Sequence, residues 1–521
     1  MSKSIYRKVG IASIIMMASV FLSRILGILR EVVIAYLKGT DGSVDAYQIS
    51  FIIPEILNHV LASGFLSITF IPIFAQYLTD DNEEEGWRVF SNILCCFSII
   101  VFILIIIVLC LSNELISLTG ITNTETLKNA IRMTRIIIPA QIFFFAGGLL
   151  MAVQFAKEQF IIPAMAPLLY NLCIILGGVI LAPRLGMEGF SWGVLAGAFI
   201  GNFALQLWGA KRAGMRFSFV FNFKHPDLKK YILLTLPLMF GLTMTFSTEI
   251  FPKYFGSYLP EGSISSLNYG LRIMFLLVGF FGQAVGVASY PFMARLASEN
   301  RISEMNRLLN TTLKYISLVI PVSVLMIILR HEIVLIFFQR GSFDAISTET
   351  TSNILAFLMI GAFAFTAQTI VTRGYYAMRN TLFPTIVVSI VVILSMPLYF
   401  IGMRLMGING IALALSISVV FQVLLLYALW NRTSSNIESH QVYRVYSKII
   451  LLSLVMGLIF SGFKTYLLQW VDNSALFGSL LISAFISILF ILTLVAAGYI
   501  FKIKEIFEFV DKLRKRVLPK K

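Results

Sequence analysis

Long apolar segments, separated by short polar connections, run along the whole chain. Each contains roughly 20 residues or more, enough for an α-helix to cross a hydrocarbon core about 30 Å thick. A membrane β-barrel, the other architecture that satisfies every backbone group in lipid, would instead show short segments of alternating polarity. The pattern therefore predicts an all-α polytopic membrane protein with about fourteen transmembrane helices. The predicted helices begin at residues 9, 45, 89, 131, 160, 187, 230, 264, 310, 350, 382, 409, 444 and 475.

The composition agrees with a chain that lies mostly in lipid. Hydrophobic residues make up 58% and charged residues 13%, with a mean hydropathy of +0.87. The first apolar segment follows Lys3, Arg7 and Lys8, as in a signal peptide, but its length of about 29 residues and its internal charges indicate helix 1 instead. The four cysteines and four histidines show no spacing typical of disulfides or metal sites. We expect no metal and no cofactor.

The basic residues indicate the orientation in the membrane. Lys and Arg are concentrated at both termini and at the even-numbered connections, above all at residues 211–230 and 502–521. The excess of basic residues on cytoplasmic loops predicts that both termini are cytoplasmic. The net charge of +15 is then topological, and the basic loops form no recognisable nucleic-acid-binding module, so no nucleic-acid partner is expected. The tail, residues 503–521, fits either an amphipathic helix on an anionic leaflet or a solvated basic end.

An internal repeat divides most of the chain into two similar halves. The segment IPIFA at residues 71–75 is echoed by YPFMA at 290–294, an offset of 219, and RLGMEG at 184–189 by RLMGING at 404–410, an offset of 221 at the last glycine. Each predicted lobe has six helices, so the copies share one membrane orientation, an arrangement that supports alternating access. The predicted domains are residues 1–226 (N-lobe, helices 1–6), 227–435 (C-lobe, helices 7–12), 436–502 (helices 13 and 14) and 503–521 (basic cytoplasmic tail).

Charged side chains inside apolar helices point to transport. Counted from a periplasmic end near residue 37, Arg24 lies about 20 Å and Arg30 about 10 Å inside helix 1. Arg272, in helix 8, lies at about the depth of Arg30. Arginine binds phosphate groups bidentately and stays charged in a low-dielectric cavity, which suits a diphosphate headgroup. The alternative is that these arginines form fixed salt bridges, for which the available acids are Glu31, Asp45 and Glu55.

Other polar residues inside the spans have two interpretations each. Asn58 and His59 in helix 2 lie at about the depth of Arg24, where they line the same site or form interhelical hydrogen bonds. Glu249 in helix 7 is a candidate position for a coupling ion or a proton, although a lone acid decides little.

Three motifs resemble one known family. They are residues 23–31 (SRILGILRE), 44–47 (VDAY) and 262–265 (GSIS). With the helix count, they make the chain similar to the MurJ/MviN lipid II flippases of the MOP transporter superfamily. The resemblance implies a transporter of the bacterial inner membrane, not an enzyme, that moves an undecaprenyl-diphosphate-linked peptidoglycan precursor to the outer leaflet for cell-wall synthesis.

The resemblance also assigns roles to residues. It implies that Arg24, Arg30 and Arg272 line the substrate cavity, with Asn58 and His59 beside them. Glu31 and Asp45 match acidic positions of the family and, with Glu55, are the gating or charge-pairing candidates. Its partners would be the lipid-linked glycan, the phospholipid bilayer and proteins of cell-wall synthesis. Coupling to the membrane potential or to a monovalent cation would drive it.

Two departures from the family keep other functions open. Asn58 and His59 stand where the family usually has two arginines, and Pro252 stands where many members have an acidic sodium-site residue. A flippase for another undecaprenyl-diphosphate-linked oligosaccharide and a cation-coupled drug antiporter therefore remain alternatives, as does a scaffold that has lost its cargo. Buried arginines argue against a site for cationic drugs. A membrane glycan polymerase is disfavoured because the connections carry no cluster of catalytic residues.

Overall fold

A computed structural model describes residues 2–61, 64–239, 246–508 and 511, and within these ranges the chain is helical and contains no strand. The helices up to residue 265 are α1 (Ser2–Lys38), α2 (Gly42–Ile49), α3 (Ile52–Leu61), α4 (Gly64–Thr79), α5 (Glu83–Cys110), α6 (Ser112–Ser117), α7 (Thr124–Ile137), α8 (Ala140–Ala156), α9 (Ile161–Leu185), α10 (Glu188–Gly197), α11 (Leu205–Arg212), α12 (Pro226–Met239) and α13 (Phe251–Gly256). The following helices are α14 (Ser263–Val278), α15 (Ala284–Ser298), α16 (Ile302–Ile316), α17 (Val319–Ile328), α18 (Arg330–Phe338), α19 (Ala345–Ala377), α20 (Leu382–Thr433), α21 (Ser439–Leu467) and α22 (Leu476–Ile500). Within the described residues, three short segments are π-helical: Ala198–Ala204, Phe246–Ile250 and Gly279–Gln283.

The helices are long and apolar enough for a multi-pass membrane protein. Ten helices or helix pairs in the described ranges meet that criterion, and the longest, α20, contains two of the predicted spans. The spans predicted from residues 45 and 230 are divided into shorter helices, and these two and the first span are not among the ten. The all-α polytopic fold is thus confirmed, whereas the count of fourteen stays a prediction.

The chain divides into two compact units, residues 1–265 and 266–521. In the first unit an aromatic core, which includes Phe74, Trp87, Phe145 and Tyr231, joins α4, α5, α8 and α12. In the second unit α21 and α22 pack together, with the rings of Phe460 and Phe490 5.1 Å apart. The predicted domain boundary at 226/227 follows the sequence repeat and remains a prediction.

The predicted repeat is visible in the backbone. Residues with positive φ recur at the offsets found in the sequence, and the pairs are Asp81 and Asn300, Glu158 and Arg379, Gly186 and Gly407, and Gly214 and Ser435. Gly186 has φ 59° and ψ −139°, and Gly407 has φ 58° and ψ −133°. Both glycines separate two consecutive helical segments, in a conformation that side chains with a Cβ rarely adopt. The two halves therefore turn in the same way at equivalent places.

The start of the predicted basic tail packs on protein. Ile503 and Ile506 are buried in a cluster with Leu318, Ile320 and Ile449. These two isoleucines would lie on the apolar face of a tail helix, and in the structure they pack on other helices of the second unit. The basic residues Lys512, Arg514, Lys515 and Arg516 lie outside the described residues.

Candidate functional site

One face of α1 lies along α9. The hydroxyl of Ser19 donates to the Ala164 carbonyl, the Asn171 amide donates to Ser23 Oγ at 3.4 Å, and Gly27 faces the same asparagine. These positions recur every four residues, so they share one side of a helix. Ser19, Ser23 and Gly27 therefore mark the side of α1 that lies on α9.

Arg30 belongs to the face that packs on α9. Its Nη2 contacts Glu31 Oε1 at 2.7 Å, and its Nη1 donates to Asn171 Oδ1 at 3.2 Å. Glu31 is 1% exposed. The arginine Nε is buried and has no hydrogen-bond partner among the described residues. The charge of Arg30 is thus compensated by its neighbour in sequence, while one N–H remains available.

Arg24 lies on a different face of α1. It follows Ser23 directly and is therefore turned by about 100° from the face on α9. Its side chain is partly buried. Arg24 and Arg30 are six residues apart and therefore about 120° apart around the axis of α1, so their side chains leave the helix in different directions.

Arg272 lies in α14, in the second unit, and is partly buried. Gly270 packs closely on Ile354 and Leu358 of α19. Two residues further along the helix, Arg272 is rotated by about 200° from Gly270 around the helix axis.

Asp45 binds backbone amides. Its carboxylate accepts hydrogen bonds from the N–H of Gly262 at 2.8 Å and of Ser265 at 2.7 Å. It is 4% exposed. Amide groups in the first turn of a helix have no partner within the helix, and an acidic side chain satisfies them and also favours the positive end of the helix dipole. These two hydrogen bonds to Asp45 thus cap the start of α14.

Glu55 forms an ion pair with Lys253 of α13. The lysine Nζ is 3.0 Å from Oε1 and 2.8 Å from Oε2. The side chains are 21% and 12% exposed, and the same ammonium lies 6.0 Å from the Phe51 ring centroid. This pair connects α3 with α13.

A second acid–base pair lies one helical turn further along. Glu249 is close enough to His59 for an electrostatic interaction, and both side chains are partly buried. His59 follows Glu55 by four residues, and Glu249 precedes Lys253 by four, so the pairs form successive rungs between antiparallel segments. Asn58 is partly buried next to them.

Two further polar contacts connect α4 and α12, which are also antiparallel to each other. The hydroxyls of Thr69 and Thr235 are 3.0 Å apart, and Tyr77 donates to Asp227 at 2.5 Å. We call the four contacts the polar seam; its rungs are Glu55–Lys253, His59–Glu249, Thr69–Thr235 and Tyr77–Asp227. It joins the helical segments of the two predicted spans that the structure divides into short helices.

The sequence prediction missed Asn171 and five members of the polar seam, which are Lys253, Thr69, Thr235, Tyr77 and Asp227. Asn171 and Lys253 each interrupt an apolar stretch, as the singled-out residues do. That signal was available, since polar side chains within apolar spans are costly and usually have a defined partner.

A family model described as lipid II flippase MurJ matches residues 34–502. The chain belongs to the MurJ family. A probable lipid II flippase MurJ of Buchnera aphidicola subsp. Baizongia pistaciae is 26% identical over 463 residues, which cover 88% of this chain and 90% of that protein. The lipid II flippase MurJ of Burkholderia cenocepacia is 24% identical over 416 residues, 78% of this chain and 80% of that protein.

Solved structures agree with the MurJ assignment. A lipid II flippase MurJ in an inward closed conformation matches with a TM-score of 0.76 and 25% identity, over 94% of this chain and 99% of that one. An inward-facing multidrug resistance MATE transporter of the MOP superfamily matches with a TM-score of 0.66 and 12% identity, over 82% and 96%. The MATE likeness shows the fold alone. The predicted family is confirmed, and MurJ membership makes this chain a multi-pass transport protein of the bacterial inner membrane and not an enzyme.

Proposed function

We propose that this chain is a lipid II flippase that moves the precursor from the inner to the outer leaflet by alternating access. The observation that carries the proposal is the match to the MurJ family over residues 34–502, together with the fold shared with a MurJ structure. Moving a diphosphate headgroup through lipid requires cationic groups that replace its hydration shell, and this chain has arginines inside its apolar helices.

Arg24 and Arg272 are the proposed principal ligands of the diphosphate. Both are partly buried arginines within membrane helices, and neither lies on the side of its helix that Ser23 or Gly270 marks as the contact with its neighbour. Arg30 has a secondary role in this proposal, because Glu31 and Asn171 hold its guanidinium and leave its Nε for a ligand. Asn58 and His59 would contact uncharged parts of the headgroup.

Complementation tests this assignment. In bacteria depleted of their own lipid II flippase, R24A and R272A should fail to restore growth although the proteins are present in the membrane. R88A is the matched control, because Arg88 is 60% exposed at the polar start of α5 and pairs only with nearby glutamates. Growth of both R24A and R272A at the parental rate would contradict the role of these arginines.

A flippase for a related undecaprenyl-diphosphate-linked oligosaccharide is the second candidate. One observation favours it. This chain has Asn58 and His59 at the two positions where the resemblance to the family makes arginines expected. Native mass spectrometry of the gently extracted protein identifies the bound lipid by its glycan. A mass corresponding to lipid II supports the first proposal, and a different glycan on the same carrier supports the second.

The energy source and the orientation are part of the proposal. We infer cytoplasmic termini from the distribution of Lys and Arg, and coupling to the membrane potential or to a cation bound at Glu249. Lipid II translocation in proteoliposomes should lose its response to the potential or ion gradient in E249Q if Glu249 is the coupling site. An unchanged response would remove Glu249 from the mechanism.

Proteins of cell-wall synthesis are the proposed partners, which co-purification from crosslinked cells would identify.

A further inference from the structure

The connection between α11 and α12 carries a row of exposed phenylalanines. Residues 216–224, RFSFVFNFK, alternate phenylalanine with other residues and do not form a helix over most of their length. Phe217, Phe219, Phe221 and Phe223 are 43%, 83%, 55% and 63% exposed. Contiguous large apolar side chains at such exposure mark a surface that contacts something other than water. We call these four residues the phenylalanine row.

The row is held in a defined position by hydrogen bonds to α5. The Ser218 N–H donates to Ser91 Oγ at 3.2 Å, and the Asn222 N–H donates to Asn92 Oδ1 at 2.7 Å. The Asn92 amide in turn donates to the Asn222 carbonyl at 3.0 Å. The backbone between the phenylalanines is thus attached to one helix, and the rings of the row remain exposed.

The contacts with α5 place the row at a boundary between polar and apolar surroundings. The first turn of α5 is acidic, and Glu83 forms an ion pair with Lys157. Further along the same helix, Phe102 and Ile107 are 58% and 45% exposed, as expected of a surface in contact with lipid. Asn92 lies between these regions, about 15 Å before Phe102 along the helix axis. Segments that lie on a membrane surface bury apolar side chains, phenylalanine among them, at this level.

The surroundings of the row are basic. Six lysines and arginines occur within residues 211–230, at positions 211, 212, 216, 224, 229 and 230, and all six are exposed. The only acid in this stretch, Asp227, accepts a hydrogen bond from Tyr77. Clustered basic residues attract the anionic headgroups of a bilayer surface.

We propose that the phenylalanine row inserts into the boundary between headgroups and acyl chains of an anionic phospholipid leaflet, with the adjacent Lys and Arg side chains bound to the headgroups. Alternation gives the row four rings within a short extended segment, and phenylalanine is among the residues that surface-bound segments bury at the boundary between headgroups and acyl chains. The row then anchors the connection between α11 and α12 to the bilayer. This interaction involves no cargo and is therefore independent of the proposed transport function.

Depth-dependent fluorescence quenching tests the proposal on the full-length protein. F219W is reconstituted in vesicles of phosphatidylcholine and phosphatidylglycerol that contain phosphatidylcholine brominated near the headgroup end of its chains. The spectrum of the parent, which has five tryptophans, is subtracted. E84W is the matched control, because Glu84 is exposed in the first, polar turn of α5. We expect at least twofold stronger quenching of F219W than of E84W, with blue-shifted emission.

Equal quenching of F219W and E84W, with the emission of a hydrated indole, would overturn the proposal and leave the row for a soluble protein partner. F221W provides the same measurement if F219W does not fold. The anionic component is tested separately by omitting phosphatidylglycerol. Without phosphatidylglycerol, the quenching of F219W should decrease. In F219W/R216A/K224A, quenching should be the same with and without phosphatidylglycerol. Quenching that never depends on phosphatidylglycerol would contradict the headgroup contacts.

Discussion

Lys253 donates to both carboxylate oxygens of Glu55, at 2.8 and 3.0 Å, across 198 residues of sequence. This pair is the first rung of the polar seam, and both side chains are mostly shielded from solvent. A charge left alone at such a place is costly, because neither water nor a counterion replaces its partner.

We therefore expect K253M and E55Q each to destabilise the purified protein by about 2 to 4 kcal/mol, somewhat less than the loss of a partner in a fully buried pair. The charge-swapped E55K/K253E should recover much of the loss, because the attraction between the positions is restored. Thermal unfolding in detergent measures the four proteins. A double variant that loses as much as the two single variants together would show that the side chains do not interact.

The sequence was sufficient to predict the membrane fold, because lipid imposes the same requirement on every span. Backbone groups without water must bond within helices, so apolar length alone indicates where the helices lie. The repeat was also predictable, since the turns at Gly186 and Gly407 need glycine and leave it at a constant offset.

The partners of the charged residues were not predictable in the same way. Arg30 and Glu31 are adjacent, and adjacent residues do not normally face each other on a helix, yet their side chains meet. Glu55 was a candidate partner for an arginine and binds Lys253 instead. Pairing inside a membrane domain depends on which helices become neighbours, and hydropathy contains no information on that choice. The alternating phenylalanines of residues 217–223 were visible in the sequence, but their exposure, which indicates a binding surface, is seen only in the structure.

Asp45 should slow the local unfolding of the first turn of α14, which it caps. In D45A the N–H groups of Gly262 and Ser265 lose their acceptor, which should cost about 1 to 2 kcal/mol. Hydrogen–deuterium exchange should accelerate in peptides that cover residues 260–266. D45N keeps an acceptor oxygen and should exchange at a rate between the parent and D45A. Unchanged exchange in D45A would mean that the carboxylate is not needed to hold these amides.

Asp344 provides a test of pH dependence outside the spans. It is the N-cap of α19 and accepts a hydrogen bond from the Ser347 N–H at 2.8 Å, which lowers the pKa of its carboxyl below the usual value. A lowered pKa in the folded state adds stability that is present above the unfolded pKa near 4 and disappears as the pH falls through the folded pKa. The thermal midpoints of the parent and D344A should therefore differ by a constant amount from pH 7 to 5 and converge below pH 4. A difference that grows on acidification would reverse the sign of this interaction.

We expect Glu332 to hold α21 against the other helices of the second unit. Its carboxylate is fully buried, with Lys464 Nζ 2.6 Å from Oε2 and the Asn473 amide 2.9 Å from Oε1. The same ammonium donates to the Ile328 carbonyl at 2.8 Å. One lysine of α21 therefore donates hydrogen bonds to acceptors in both α18 and the end of α17. Since α21 and α22 otherwise expose much apolar surface, such as Leu458 and Leu492, this polar contact selects where they attach.

Removing only the lysine should be worse than removing both charges. K464M leaves a buried carboxylate without its counterion and should destabilise the protein by about 3 to 5 kcal/mol, whereas E332Q/K464M replaces the pair with neutral side chains and should lose less. Limited proteolysis in the connection at residues 468–475, together with thermal unfolding, measures the attachment of α21 and α22. We expect the fastest cleavage in K464M, slower cleavage in E332Q/K464M and the slowest in the parent. If the double variant is cleaved as fast as K464M, the packing of Phe460 on Phe490 and its neighbours does not hold these helices without the ion pair.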